Sequence, residues 1–267
     1  MRGEADPQAL TNVDYWDDEW KDVKLPTRFH HRWKYETHCI HKFLKASLPQ
    51  PGSTILEVGC GASAWLPYFA RELGLDVAGL DYSEIGVRLA RENLRLHGVT
   101  GRVVHGDVFH PPVDLRTFDA VFSWGFVEHF EDVPAAVRAI ARFGRPGATI
   151  ITGAPNFAGW LRHLQKLLDP KDYSAHNPLS RRDLDLALRE AGLEITTPSR
   201  PIGTFNARAA SFPALEARLP RLGRRALKAM RGALNRVVNA PAMILDWAPE
   251  GDLLSAHIVS VSRVPLR

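Results

Sequence analysis

The residues with the plainest chemical content are Glu57, Gly59, Gly61 and Asp81. Ile55-Leu56-Glu57-Val58 runs straight into Gly59-Cys60-Gly61-Ala62-Ser63, which predicts a buried strand ending in a glycine loop. Glycines there let backbone amides approach a ligand closely, because no side chain stands in the way. Asp81 follows at the end of the next strand-like run, where a nucleotide-type fold holds ribose hydroxyls with an acid. Together these residues describe a site for an adenosine-containing cofactor at the first crossover of an α/β sheet. Gly59-x-Gly61-x-x-Ala64 also satisfies the dinucleotide fingerprint, so a nicotinamide dinucleotide stands as one alternative.

Three further features bear on that choice. Glu57 sits inside the strand end, where a pyrophosphate binder has no use for negative charge. S-adenosylmethionine carries no phosphate, and its amino-acid end bears an ammonium that a carboxylate network can help neutralise. Gly106-Asp107-Val108 places an acid, suited to accept from an adenine amino group, just after the strand-like 101–105 run. Phe118-Asp119-Ala120-Val121-Phe122-Ser123 adds a further strand leading into 124–132.

With Val58-Gly59-Cys60-Gly61, Leu80-Asp81-Tyr82-Ser83, Gly106-Asp107-Val108 and Glu128-His129-Phe130-Glu131-Asp132 in order, the chain resembles the class I S-adenosylmethionine-dependent methyltransferases. The likeness is to the small-molecule branch typified by the ubiquinone-biosynthesis methyltransferases, over about residues 38–200. It implies that Gly59 and Gly61, with Glu57 beside them, line the methionine part and that Asp81 meets the ribose hydroxyls. Asp107 and Val108 would meet the adenine, with Tyr82 against its face and Ser123 at the neighbouring strand end. The implied activity is methyl transfer from S-adenosyl-L-methionine to the oxygen or nitrogen of a small metabolite. The alternatives are an NAD-dependent oxidoreductase, or a non-catalytic cofactor-binding protein that docks through a basic insertion.

Methyl transfer from a sulfonium is an in-line displacement, so the protein contributes mainly alignment and the exclusion of water. The acceptor should lie beyond the carboxyl ends of the strands, beside the cofactor. His129 and His176 are the candidate bases there, since imidazole titrates near neutral pH. Relatives bind a divalent metal through a Glu-x-x-Glu-His group and a later His. Here Gly125 takes the place of the first acid, and no metal is expected. Trp20, Trp33 and Tyr35 are candidates for an aromatic lid over the acceptor, with Trp124 and Asn156 lining its other side. Asn156 follows strand five rather than strand four, so it is not the Asn/Asp-Pro-Pro-Tyr motif of nucleic-acid amino methyltransferases. No nucleic-acid partner is expected.

These residues need a scaffold, and the 267-residue chain, 45% hydrophobic, has the substance for one sizeable α/β domain. Strand and helix patterns alternate, predicting a Rossmann-like, doubly wound, mostly parallel seven-stranded sheet with an antiparallel last strand at 257–264. Residues 1–36 are expected to form an N-terminal helical lid of two short helices around Pro26. Residues 37–200 and 247–267 form the methyltransferase domain, and 201–246 a basic helical insertion. Between Arg200 and Arg236 nine Arg or Lys face one acid, Glu216, a local balance of +8 within a net +4, so the remainder carries −4. That insertion predicts an amphipathic helix packed on the body or on a second copy, making a homodimer one expectation; a membrane-surface helix and an electrostatic lure for an anionic substrate stand as alternatives. Cys39 and Cys60 are too few for a disulfide framework. No signal peptide or membrane-spanning run is visible, so a cytoplasmic setting is expected.

Overall fold

Short apolar runs separated by amphipathic helices can bury both faces of a sheet only if the helices cross over it. The computed structural model describes residues 9–32, 34–111, 118–206 and 213–266. Trp33, residues 1–8 of the expected lid and residues 207–212 of the expected insertion lie outside the described residues. Strands β1 (Thr54–Val58), β2 (Asp76–Asp81), β3 (Arg102–His105), β4 (Phe118–Trp124), β5 (Gly144–Pro155), β6 (Glu194–Ile202) and β7 (His257–Arg263) form a seven-stranded sheet. Its order is β3-β2-β1-β4-β5-β7-β6, and β7 runs antiparallel to both neighbours.

The period-two alternation of the strands divides the core. Leu56, Val58, Val121 and Ile150 meet one layer, built from α5 (Val133–Ala141) and α8 (Arg181–Glu190). Ile55, Val77, Phe122 and Ile151 meet the other, built from α2 (Tyr35–Ser47), α3 (Trp65–Leu73) and α4 (Glu84–Leu96). Val58 pairs with Leu80 on one side and Ser123 on the other. Gly59, Asp81 and Trp124 therefore leave the sheet at one level, and the site opens there.

Helix ends follow the local sequence. Ser83 caps α4 by accepting from Gly86 N at 2.9 Å, and Ser180 with Asp183 forms a capping box at α8. The N-terminal extension carries one helix, α1 (Val13–Trp20), rather than two among the described residues. After Pro26, Thr27 N bonds Asn93 Oδ1 of α4 at 2.9 Å, and Asn93 Nδ2 returns a bond to Thr27 Oγ1 at 2.7 Å. That anchorage replaces the expected second helix.

Two strands run longer than the strand-like runs at 148–153 and 194–197 predict. Pairing with β7 extends β5 to Pro155 and β6 to Ile202. Pro198 and Pro201 are tolerated because β6 is the edge strand, with register shifts between Ile195 and Arg200. Helices α6 (Trp160–Leu168) and α7 (Pro170–Ser174) precede α8, where no element was expected. The basic segment forms α9 (Pro213–Arg218) and the 25-residue α10 (Arg221–Leu245).

Candidate active site

Gly59 and Gly61 have φ of +73° and +39°, the left-handed region where a side chain is strained. Gly61 N donates to Asp81 Oδ2 at 2.7 Å, and Ser83 N donates to Asp81 Oδ1 at 2.8 Å. Asp81 thus ties the glycine loop of β1 to the start of α4. Burial lifts its carboxyl to about 6, against the lowering effect of those two amides. Glu57 is buried and accepts from the Ser63 hydroxyl, whose oxygen also accepts from Trp65 N and Leu66 N. Burial holds the Glu57 carboxyl well above the usual range. Glu57 therefore also braces the turn into α3.

The remaining expected cofactor residues gather around the ends of β2, β3 and β4. Asp107 Oδ1 accepts from Phe109 N at 2.9 Å, and Asp107 Oδ2 pairs with His110 Nδ1 at 3.1 Å. Val108 is buried in the core. Burial keeps the Tyr82 hydroxyl above its ordinary value, and it hydrogen-bonds to Thr11. Ser123 is buried, and its Oγ has no hydrogen-bond partner among the described residues.

Helix α1 lies across this loop. Trp20 stacks on Trp16 at 5.8 Å, and a Cβ at Gly61 would fall within the Trp20 indole. Phe126 occupies the matching position over Gly59, with its Cδ2 2.7 Å from a Cβ built there. The Ser83 hydroxyl donates to Asp17 at 2.6 Å, and Leu10 N donates to His129 O at 2.8 Å. Trp16 meets His129 edge-on, with ring centroids 4.8 Å apart.

Under this cover lies a polar cluster made by the turn after β4. Residues Val127–His129 form a single 3₁₀ turn. Glu128 is 1% exposed, and among the described residues neither of its carboxylate oxygens has a hydrogen-bond partner. Burial raises its carboxyl to about 7. His129 Nδ1 lies 2.8 Å from Ala175 O, which can only accept, so that nitrogen carries the proton and Nε2 is left with its lone pair. Burial first, then His176 nearby, pushes His129 down to about 3. The His129 and His176 rings lie 4.5 Å apart. One donor atom each from Glu128, His129 and His176 falls within 4.8 Å of the others.

His257 of β7 closes the cluster from behind. Its Nδ1 lies 2.7 Å from Glu36 Oε1 of α2. Burial alone would lower its pKa, but Glu36 and then Glu128 outweigh that and hold it above the ordinary value. Trp124 lies over Gly153, where a Cβ would clash with it, and its ring stands 5.4 Å from His257. Glu36, Glu128 and His257 were not among the expected site residues. Glu128 had a signal in its adjacency to His129. Glu36 and His257 had none, being 221 positions apart.

Two expected acceptor residues are elsewhere. Asn156 is fully buried, and its Nδ2 donates to Asp252 O and Ser255 O, both at 2.8 Å, while Oδ1 accepts from Ala158 N. Its amide is consumed in holding the loop before β7 and has no hydrogen left for a substrate. Tyr35 is buried against Ala242 and Ala248 at the end of α10, so it pins that helix and does not line the acceptor side. Trp33 lies outside the described residues.

The model of the methyltransferase domain family matches residues 29–197. The chain belongs to this family, the class I fold of S-adenosylmethionine-dependent methyltransferases. It is similar to the demethylmenaquinone methyltransferase of Listeria welshimeri, 31% identical over 141 residues, covering 50% of this chain and 56% of that protein. The matched segment thus spans about half the length of that relative. The methyltransferase GfsG of Streptomyces halstedii is 25% identical over 201 residues, covering 71% and 70%. The fold is shared with a SAM-dependent methyltransferase of Aquifex aeolicus at a TM-score of 0.55 and 14% identity, covering 95% and 99%.

Family membership decides the cofactor as S-adenosyl-L-methionine rather than a nicotinamide dinucleotide. The residues suit it: two Cβ-free positions flank the loop, and the Asp81 carboxylate is held at the end of β2 by backbone amides. Glu57 adds a carboxylate and no phosphate-seeking cation.

Proposed function

We propose that the protein transfers a methyl group to an oxygen or nitrogen of a small-molecule acceptor, with Glu128 as proton acceptor. The observation that carries this is the Glu128 carboxyl. It is buried, unpartnered and raised to about 7, directly after β4 where an acceptor would sit. A carboxylate so placed is poised to take a proton at neutral pH. His129, held near 3, is too weak a base for that task and serves better as a hydrogen-bond acceptor through Nε2. His176, beside it, is kept as a further candidate for orienting the acceptor.

S-adenosyl-L-methionine supplies the methyl already activated on sulfonium. Glu128 would take the proton that the acceptor's oxygen or nitrogen gives up, leaving that atom free to receive the methyl. Gly59 and Gly61 would give backbone access, Asp81 and Asp107 would hold the nucleoside, and Tyr82, Val108 and Ser123 would line it. Trp16, Trp20 and Trp124 would exclude water, so α1 would act as a lid that lifts for the cofactor to enter. Two free cysteines suit a reducing, cytoplasmic setting. A screen of phenol, carboxylate and amine acceptors with labelled methyl donor tests the proposal. Label transfer by the wild type and its loss in Glu128→Gln would support it. Label transfer unchanged in Glu128→Gln would remove Glu128 from the chemistry.

A further inference from the structure

Helix α10 is amphipathic in an inverted sense. Its side toward the body is polar or small. Asn239 Oδ1 accepts from Tyr35 N at 3.1 Å, Asn235 Nδ2 donates to Asn206 Oδ1 at 2.8 Å, and Gly232 and Ala242 are buried. Its C-terminal end is clamped by Asp246, paired with Lys42 at 2.7 Å and His38 at 3.1 Å on α2. The apolar stripe points the other way. Met230 is 61% exposed, Val237 72% and Ile244 83%, with Leu222, Leu234 and Leu245 exposed on the same side. Water-facing side chains of this size at i, i+4 and i+7 spacing are the face a helix normally buries.

Charge says what covers it. Arg221, Arg224, Arg225, Lys228 and Arg236 are exposed on the rest of the helix circumference, away from the stripe, and no Asp or Glu occurs in 221–245. A second copy would add an equally cationic helix alongside the first, with no acid on either helix to offset the charge. An anionic bilayer answers both halves of the pattern: the stripe enters the acyl boundary while the long cationic side chains reach headgroup phosphates. Trp247, 65% exposed just beyond the helix, suits that interface as well. Among the described residues no helix is long and apolar enough to cross a membrane. We infer that α10 is a docking surface for an anionic lipid membrane, lying in its plane and holding the domain against it.

The inference is independent of which acceptor is methylated, and its test needs no turnover. The full chain is sedimented with vesicles of phosphatidylcholine alone, and with vesicles in which about a third is phosphatidylglycerol. Binding should appear only with the anionic vesicles, fall with added salt, and weaken about tenfold in Arg224→Glu/Arg225→Glu and in Val237→Asp/Ile244→Asp. S-adenosylhomocysteine binding and the melting temperature confirm that each variant is folded. Equal binding to both vesicle types, or to neither, overturns the inference. So does a dimer in sedimentation equilibrium that Val237→Asp/Ile244→Asp dissolves without any vesicle binding by the wild type, which would make a second copy the occupant.

Discussion

His129 Nε2 lies 4.0 Å from Glu128 Oε1, and burial has moved these neighbours in opposite directions, the acid up to about 7 and the imidazole down to about 3. At neutral pH the pair is therefore not an ion pair, since the histidine is neutral throughout. Turnover should rise with pH through about 7, as the Glu128 carboxyl loses its proton and becomes able to accept one. Glu128→Gln should lower kcat about a hundredfold and abolish that limb, whereas His129→Asn should keep it. A pH–rate profile of the three proteins decides. A limb that survives in Glu128→Gln assigns it to another group.

The same carboxyl should affect stability with a defined sign. Its folded value lies above its ordinary 4.5, so the unfolded chain releases this proton first as pH rises. Stability from this group is full below pH 4.5 and is lost as pH climbs through about 7. The shift corresponds to about 3 kcal/mol as an upper figure. Glu128→Gln should melt higher than wild type at pH 8 and show little difference at pH 4.5. Thermal denaturation at both pH values checks this, and an equal difference at the two would refute it.

Asp81 joins two loops through its two oxygens. Asp81→Ala should weaken S-adenosylhomocysteine binding by about a hundredfold, through lost ribose contacts and a loosened glycine loop. Isothermal titration measures it. A change of less than about threefold would mean that the nucleoside does not meet Asp81.

Trp20 covers Gly61, so cofactor entry competes with the lid. Trp20→Ala should speed S-adenosylhomocysteine association by several-fold, because the open form no longer has to be selected. Turnover should fall, since water gains access to the site. Stopped-flow fluorescence compares the association rates; identical rates would show that α1 does not gate entry.

The donors of Glu128, His129 and His176 converge within 4.8 Å, a spacing that would also admit a cation. With Glu128 as proton acceptor, EDTA should leave turnover unchanged. Activity lost to EDTA and restored by magnesium or manganese would replace that assignment with a metal centre.

Legibility in the sequence followed the range of the interaction. The glycine loop, Asp81 and the strand runs are written in neighbouring residues, and each formed where its pattern lay. The full length of β6 was hidden because Pro198 and Pro201 read as strand-breakers until the strand's place at the sheet edge is known. Asn156 had the right position for an acceptor ligand, but its partners Asp252 and Ser255 come from a loop nearly a hundred residues away. The Glu36–His257 pair, whose imidazole works against burial at the Glu128 carboxyl, joins α2 to β7 and leaves no mark in either local sequence.

The place of β7 in the sheet has a consequence for how the protein is made. β7 lies between β5 and β6 and is later in the chain than both. During synthesis β6 has no partner until His257–Arg263 has left the ribosome, so only the β1–β5 portion can assemble as it emerges. Until then β5 and β6 both present open edges, the condition in which strands from separate chains pair wrongly. A chain cut short between α10 and β7 would leave its cationic helix on a domain that cannot be completed.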